Sequence, residues 1–224
     1  LMPEYAATRA RVEDYFYRTA TRVWERLSSD APVSRIRQTV REGRDQMRAV
    51  MLSRLPQDLN GVRVLEAGCG AGQMTAELAA RGADVTAVDI SPSLVKIAHD
   101  RLHEAHRHRV RFANGDMLSD HHGNFDFVLA MDSLIYYEAN DIARALEQLG
   151  ARTSAGIIFT VAPRTPFLMT FFTLGKLFPR SDRSPIMIPH ALGTLRRQGP
   201  GNRLKRVARV TRGFYISECM EYLP

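Results

Sequence analysis

Apolar residues recur at helical spacing over residues 9–27: Val12, Tyr15, Phe16, Val23, Trp24 and Leu27 share one face, with Arg9, Glu13, Arg18 and Arg22 on the other. This pattern predicts an amphipathic helix. Residues 28–32 break it, Ser34 suits an N-cap, and Ile36, Val40, Met47, Val50 and Met51 mark a second helix with arginines on its outer side. After a turn at residues 56–61 the period changes. Short apolar runs now alternate with helical stretches: VRVLEAG, a helix near residues 73–81, ADVTAVD, a helix near 93–104, RVRFANGD, FDFVLAMD, a helix near 141–149 and AGIIFTVAP. Five strands in such alternation predict a mostly parallel sheet with helices on both faces, an α/β doubly wound sandwich. Further on, residues 163–190 read as a loop-rich insert, followed by a short helix to residue 197. RLKRVARVTR and GFYISECMEY then form an antiparallel pair that makes the sheet mixed. The expected organisation is a helical arm, residues 1–56, and one α/β domain, residues 57–224, carrying the insert 163–190.

Composition narrows the setting without choosing a function. The 224 residues are 45% hydrophobic and 25% charged, a balance that excludes wholesale disorder, collagen and a membrane bundle. The only cysteines, Cys69 and Cys219, form no CxxC pair, so neither a disulfide framework nor a cysteine zinc site is expected, and a reducing cytoplasm fits best. Residues 1–11 lack the apolar core of a secretory leader. The most apolar stretch, FLMTFFTLGKLF, contains Gly175 and Lys176 and falls short of the roughly 20 residues that span a bilayer, so it can only cover or dip into a surface. His99, His103 and His106 fall on a polar helix face and His121 and His122 in a polar loop, which points to solvated histidines and no metal held by the protein. A formal charge of +7 favours anionic partners: nucleic acid, an acidic membrane surface or a carboxylate-bearing metabolite.

The sharpest chemical signal is Glu66-Ala67-Gly68-Cys69-Gly70-Ala71-Gly72, at the end of the first core strand and running into a helix. Gly68 and Gly70 permit a tight turn and close approach of a ligand, and Gly72 lets the helix begin near the strand. The spacing is GxGxG, with Gln73 where a dinucleotide fingerprint would place its last glycine, and Glu66 would repel a phosphate. A ligand carrying an ammonium suits Glu66 better, such as the methionine end of S-adenosylmethionine. Asp89 ends the next strand, where a carboxylate accepts both hydroxyls of an unphosphorylated ribose. Asp116 follows the third strand and is placed to hold an adenine amino group. Cys69, Ile90, Met117 and Met131 adjoin these strand ends and complete the expected cofactor set.

Over residues 61–162 these motifs resemble the class I S-adenosylmethionine-dependent methyltransferases. The resemblance implies a Rossmann-like three-layer sandwich with strand order 3-2-1-4-5-7-6 and in-line attack on the sulfonium methyl. The Pro-Pro signature of amino methyltransferases is missing at MDSLIYY, and the basic residues lack an interleaved aromatic platform, so a nucleic-acid substrate is not expected.

Tyr15-Phe16 and Trp24, SDAPVSRIRQTVREGRDQM, EAGCGAG, MDSLIYY, APRTP, GKLFPRSDRSP and GFYISECMEYL together resemble the magnesium protoporphyrin IX O-methyltransferase family of bacteriochlorophyll synthesis, over residues 15–223. The resemblance implies methylation of a propionate of magnesium protoporphyrin IX. It also brings in contact with the porphyrin-binding subunit of magnesium chelatase and peripheral membrane contact as partner expectations. On this reading Tyr15, Trp24, Arg164, Lys176, Arg180 and Arg183 meet the substrate, and His190 is an axial ligand to its magnesium. Many family members carry histidine where this chain has Tyr136, and some carry tyrosine near the position of Ser28. A propionate is already ionised at neutral pH, so no general base is required, and Tyr136 with Asp132 is expected to position the substrate. Three alternatives stand beside this reading: a related enzyme acting on a quinone or another small acid, a non-catalytic carrier of porphyrin, and an RNA-binding protein.

Overall fold

The computed structural model describes residues 2–28, 35–177 and 185–224. The elements in chain order are α1 (Pro3–Ser28), α2 (Arg35–Leu52), β1 (Arg63–Ala67), α3 (Gln73–Ala80), β2 (Asp84–Asp89), α4 (Pro92–Arg101), β3 (Val110–Asn114) and β4 (Phe125–Ala130). They continue with α5 (Ala139–Gly150), β5 (Thr153–Pro163), α6 (Pro166–Leu177), β6 (Pro189–His190), α7 (Leu192–Arg197), β7 (Leu204–Arg212) and β8 (Tyr215–Tyr222).

The sheet runs β3-β2-β1-β4-β5-β8-β7, with the two-residue β6 pairing beside the end of β5. Strands β1 to β5 are parallel, and β8 enters antiparallel between β5 and β7. With β6 set aside, this is the 3-2-1-4-5-7-6 order implied by the resemblance. The central strands are apolar on both sides because both sides are covered. Leu65, Val128, Ile157 and Phe159 pack with Ile142 and Leu146 of α5 and Leu195 of α7. Val64, Val85, Leu129 and Ile158 pack instead with Met47, Met51 and Leu52 of α2 and Leu78 of α3.

Helix α2 therefore supplies part of one outer layer. Its Met47, Met51 and Leu52 are fully buried, and such burial contributes about 1.5–3 kcal/mol per side chain. Gly43 sits in the middle of α2 against the closing hairpin: a Cβ there would lie 2.6 Å from Cδ1 of Tyr215. Glycine costs a helix interior about 1 kcal/mol relative to alanine, and here it lets the helix approach β8 closely.

Two boundaries differ from the sequence reading. Helix α1 already begins at Pro3, with proline at the first helical position and Glu4 in the first turn. The first part of the insert is helix α6 and not loop: the Thr165 hydroxyl accepts the Leu168 amide at 3.2 Å, with Pro166 as the first helical residue.

Candidate functional site

A cavity of about 520 Å³ opens over the C-terminal ends of β1 to β5, at the point where the strand order reverses. Glu66, Gly68, Cys69, Gly70, Asp89, Ile90, Asp116, Met117 and Met131 all line it, as do Asp132 and Tyr136. Gly72 does not; it precedes the first residue of α3, with φ of 88°.

Gly68 shows why the turn needs glycine. Its φ is 89°, and a Cβ would fall 2.6 Å from the Cβ of Ser133, whose hydroxyl donates to the Ala67 carbonyl at 2.7 Å. A Cβ on Gly70 would meet nothing within 4 Å, so that side of the turn is open to a ligand. Asp89 organises the turn from the next strand. One of its oxygens accepts the Gly70 amide and the other the Ser91 amide, both at 2.9 Å. Burial raises the Asp89 pKa and these amide bonds oppose the rise.

Glu66 is buried and accepts the Thr75 hydroxyl at 2.5 Å, which ties β1 to α3. Burial pushes its pKa up to about 8, with a further rise from Asp89 and opposing contributions from Thr75 and Arg48. At neutral pH the carboxyl is mostly protonated until a cation arrives. Asp116 accepts the Tyr5 hydroxyl at 2.8 Å and the Leu118 amide at 2.9 Å, while Arg9 stands 3.8 Å away. Tyr5 also stacks on Tyr137, with centroids 4.8 Å apart. The first turns of α1 are thereby fastened to the third strand end.

Asp132, just beyond β4, is the only non-glycine among the described residues with positive φ, at 55°. Its amide donates to Thr160 Oγ1 at 2.8 Å, and the Thr160 hydroxyl donates back to the carboxylate at 3.2 Å. The Tyr215 hydroxyl reaches both carboxylate oxygens, at 3.2 and 3.3 Å, and Arg44 Nε lies 3.4 Å from Oδ2. Burial and the nearby Asp132 push the Tyr136 pKa up to about 12, so its phenol keeps its proton at neutral pH and serves as a hydrogen-bond donor.

The expected substrate residues are less concentrated. Tyr15 is half-buried and close enough to Tyr136 to raise its pKa, but it does not line the cavity. Arg164 and Lys176 are exposed and away from the cavity lining, and Lys176 lies over the Phe172 ring at 4.4 Å. Arg180, Arg183 and the Trp24 side chain lie outside the described residues. The expectation for His190 is corrected: it is 4% exposed, and its Nε2 meets the Tyr137 carbonyl at 2.7 Å. Burial lowers its pKa, and it is a core histidine with one ring nitrogen already engaged, not an axial ligand facing the cavity.

Several lining residues were not among the site residues expected from the sequence: Tyr5 and Arg9 from α1, Arg44 and Arg48 from α2, and Phe214, Tyr215 and Ser217 from the closing hairpin. Phe214 is 52% exposed and stands 6.0 Å from Phe167, which is itself 4.8 Å from Phe171. Together they form an aromatic face continuous with the cavity mouth.

Known proteins resemble this chain over nearly its whole length. Residues 130–224 match the family described as magnesium-protoporphyrin IX methyltransferase C-terminus, and residues 64–156 match a methyltransferase domain. The chain is 64% identical to a magnesium-protoporphyrin O-methyltransferase of Rhodobacter capsulatus over 99% of both chains. It is 29% identical to the Synechocystis protein of the same name over 94% of both. The crystal structure of magnesium protoporphyrin IX methyltransferase from Synechocystis with bound S-adenosylhomocysteine superposes with a TM-score of 0.75, at 28% identity, covering 94% of this chain and 96% of that one.

Proposed function

The chain belongs to the magnesium-protoporphyrin O-methyltransferase family, and on that premise we propose that it transfers the methyl group of S-adenosylmethionine to a propionate carboxylate of magnesium protoporphyrin IX. The products are the monomethyl ester and S-adenosylhomocysteine, a step of (bacterio)chlorophyll biosynthesis. The observation that carries this reading is the meeting of Glu66, Asp89 and Asp116 around one cavity that continues onto an aromatic face.

The residues fit the cofactor. Gly70 leaves open space beside the Asp89 carboxylate, Glu66 lies buried against the neutral Thr75 hydroxyl, and Asp116 stands just beyond the third strand. Asp89 would hold the ribose hydroxyls, Asp116 the adenine amino group and Glu66 the ammonium. When bound, S-adenosylmethionine supplies a methyl on positive sulfur; transfer to a carboxylate forms one O–C bond and breaks one C–S bond, whose electron pair stays on sulfur. Opposite charges are consumed and no proton moves, so the protein contributes alignment and exclusion of water. Tyr136, Tyr137, Tyr215 and Phe214 give the cavity its low-dielectric wall, and Tyr136 offers a hydroxyl to the propionate.

The direct test is incubation of the protein with S-adenosylmethionine and magnesium protoporphyrin IX, followed by mass spectrometry. A single added methyl is expected on the pigment, and its absence rejects the proposal.

The raised pKa of Glu66 gives a signed pH prediction. At pH 7 cofactor binding ionises a carboxyl that is mostly protonated beforehand and releases a proton. At pH 9 Glu66 is already ionised, and pairing then raises the ligand amine's pKa, so the proton is taken up. Calorimetry with S-adenosylhomocysteine in buffers of different ionisation enthalpy is expected to show this reversal, and Glu66→Gln to remove the release at pH 7.

Phe214 with Phe167 and Phe171 supports a bench for the flat macrocycle. Removing one such ring forfeits about 1.5–3 kcal/mol of burial. Phe214→Ala is therefore expected to raise KM for the porphyrin about tenfold or more, with S-adenosylhomocysteine affinity unchanged in calorimetry. The exposed aromatic face also supports peripheral contact with a membrane; among the described residues no helix is long and apolar enough to cross one. Contact with magnesium chelatase is supported by the family resemblance, and co-sedimentation of the two purified proteins would test it.

A further inference from the structure

A substrate bearing carboxylates must enter a cavity that already holds four acidic side chains: Glu66, Asp89, Asp116 and Asp132. Unless a cation receives it, the incoming carboxylate is repelled. Three described arginines line the cavity, and their surroundings separate them. Arg9 stands 3.8 Å from Asp116, at the end assigned to adenine. The Arg48 side chain is only 12% exposed, bonds Asp45 at 2.9 Å and lies in the field of Glu66, at the end assigned to the methionine portion.

Arg44 differs from both. Its side chain is 52% exposed, and its Nε lies 3.4 Å from Asp132 Oδ2. It is also close enough to Tyr136 and Tyr215 to lower the pKa of each phenol. A guanidinium presents five N–H donors in a fixed fork, so an Nε contact leaves the Nη edge for a bidentate carboxylate. Asp132, in contrast, is heavily engaged by Tyr215, Thr160 and Arg44. The carboxylate fixes the guanidinium, and the guanidinium screens the carboxylate from an incoming anion.

We propose that Arg44 receives the propionate that is to be methylated, with Asp132 and Tyr215 positioning its guanidinium. This rests on the proposed transfer to a propionate and adds the anchor that selects an acid. Arg164 and Lys176, away from the cavity lining, are left outside this role.

The test compares binding of magnesium protoporphyrin IX with binding of its dimethyl ester, which keeps the macrocycle and the metal but carries no carboxylate. Affinities are measured by fluorescence quenching for wild type, Arg44→Lys and Arg44→Met. Arg44→Met is expected to weaken binding of the diacid by about ten- to a hundredfold, the range of a charge-assisted hydrogen bond. It should leave the ester unchanged, and Arg44→Lys should restore part of the loss. An equal loss for both pigments, or none for either, overturns the assignment. So does recovery of diacid affinity when Asp132→Asn is added to Arg44→Met, because Arg44 would then only be neutralising Asp132. Wild-type methyl transfer alongside any of these results overturns the role of Arg44 alone. Absence of wild-type methyl transfer overturns the proposed function itself.

Discussion

Asp89→Ala is expected to lower affinity for S-adenosylhomocysteine by about a hundredfold or more and to abolish turnover at ordinary cofactor concentrations. One side chain has three tasks at this position. It accepts the Gly70 amide at 2.9 Å, accepts the Ser91 amide at 2.9 Å, and lines the cavity where the ribose is proposed to lie. Losing hydrogen bonds to a charged acceptor costs about 1.5–3 kcal/mol, and each buried amide left without a partner costs about 1–3 kcal/mol. At 1.4 kcal/mol per tenfold, the ligand contacts alone account for one to two decades, and collapse of the Gly70 turn adds to them. Asp89→Asn is expected to lose nearly as much, because its amide nitrogen would face a backbone N–H. Calorimetric titration alongside thermal denaturation separates the two effects. A folded Asp89→Ala protein that binds within a few-fold of wild type would sink the assignment.

Asp132→Ala is expected to reduce kcat by about a hundredfold. The residue holds a left-handed backbone at φ 55°, which costs a non-glycine residue about 1–2 kcal/mol, and its carboxylate collects Tyr215, Thr160 and Arg44. Alanine keeps the strain and loses the partners. Asp132→Gly relieves the strain without restoring them, so it should be more stable than Asp132→Ala by about 1 kcal/mol and equally slow. Asparagine tolerates the conformation and keeps uncharged hydrogen bonds, so it should fall between alanine and wild type in rate. Denaturant titration and single-turnover kinetics on the three variants test this. If rate simply follows stability across the series, Asp132 is a structural residue only.

What could be read from the chain depends on how far apart the cooperating residues lie. Glu66, Asp89 and Asp116 were legible because each lies at the end of a strand or just beyond it, and the parallel sheet brings successive strand ends to one rim. Tyr5, Arg44 and Tyr215 were not. They reach the same cavity from α1, α2 and the closing hairpin, and no local periodicity records which side of a sheet a preceding helix will cover. Helix α6 is a different case. Thr165 followed by Pro166 carries the signature of a helix start, which stands inside a segment otherwise rich in proline. His190 differs for a third reason: its position next to the insert says nothing of burial, and the fold places its ring in the core against the Tyr137 carbonyl.

Gly43 marks where tolerance to mutation should be lowest outside the cavity. Its missing side chain sets the spacing between α2 and Tyr215, and Arg44 and Arg48 extend from the same stretch of helix. A methyl group at 43 would act as a wedge, tilting the rod that carries both cations while touching no ligand. In a saturation library this position should therefore fail a selection for pigment synthesis even where the protein still accumulates.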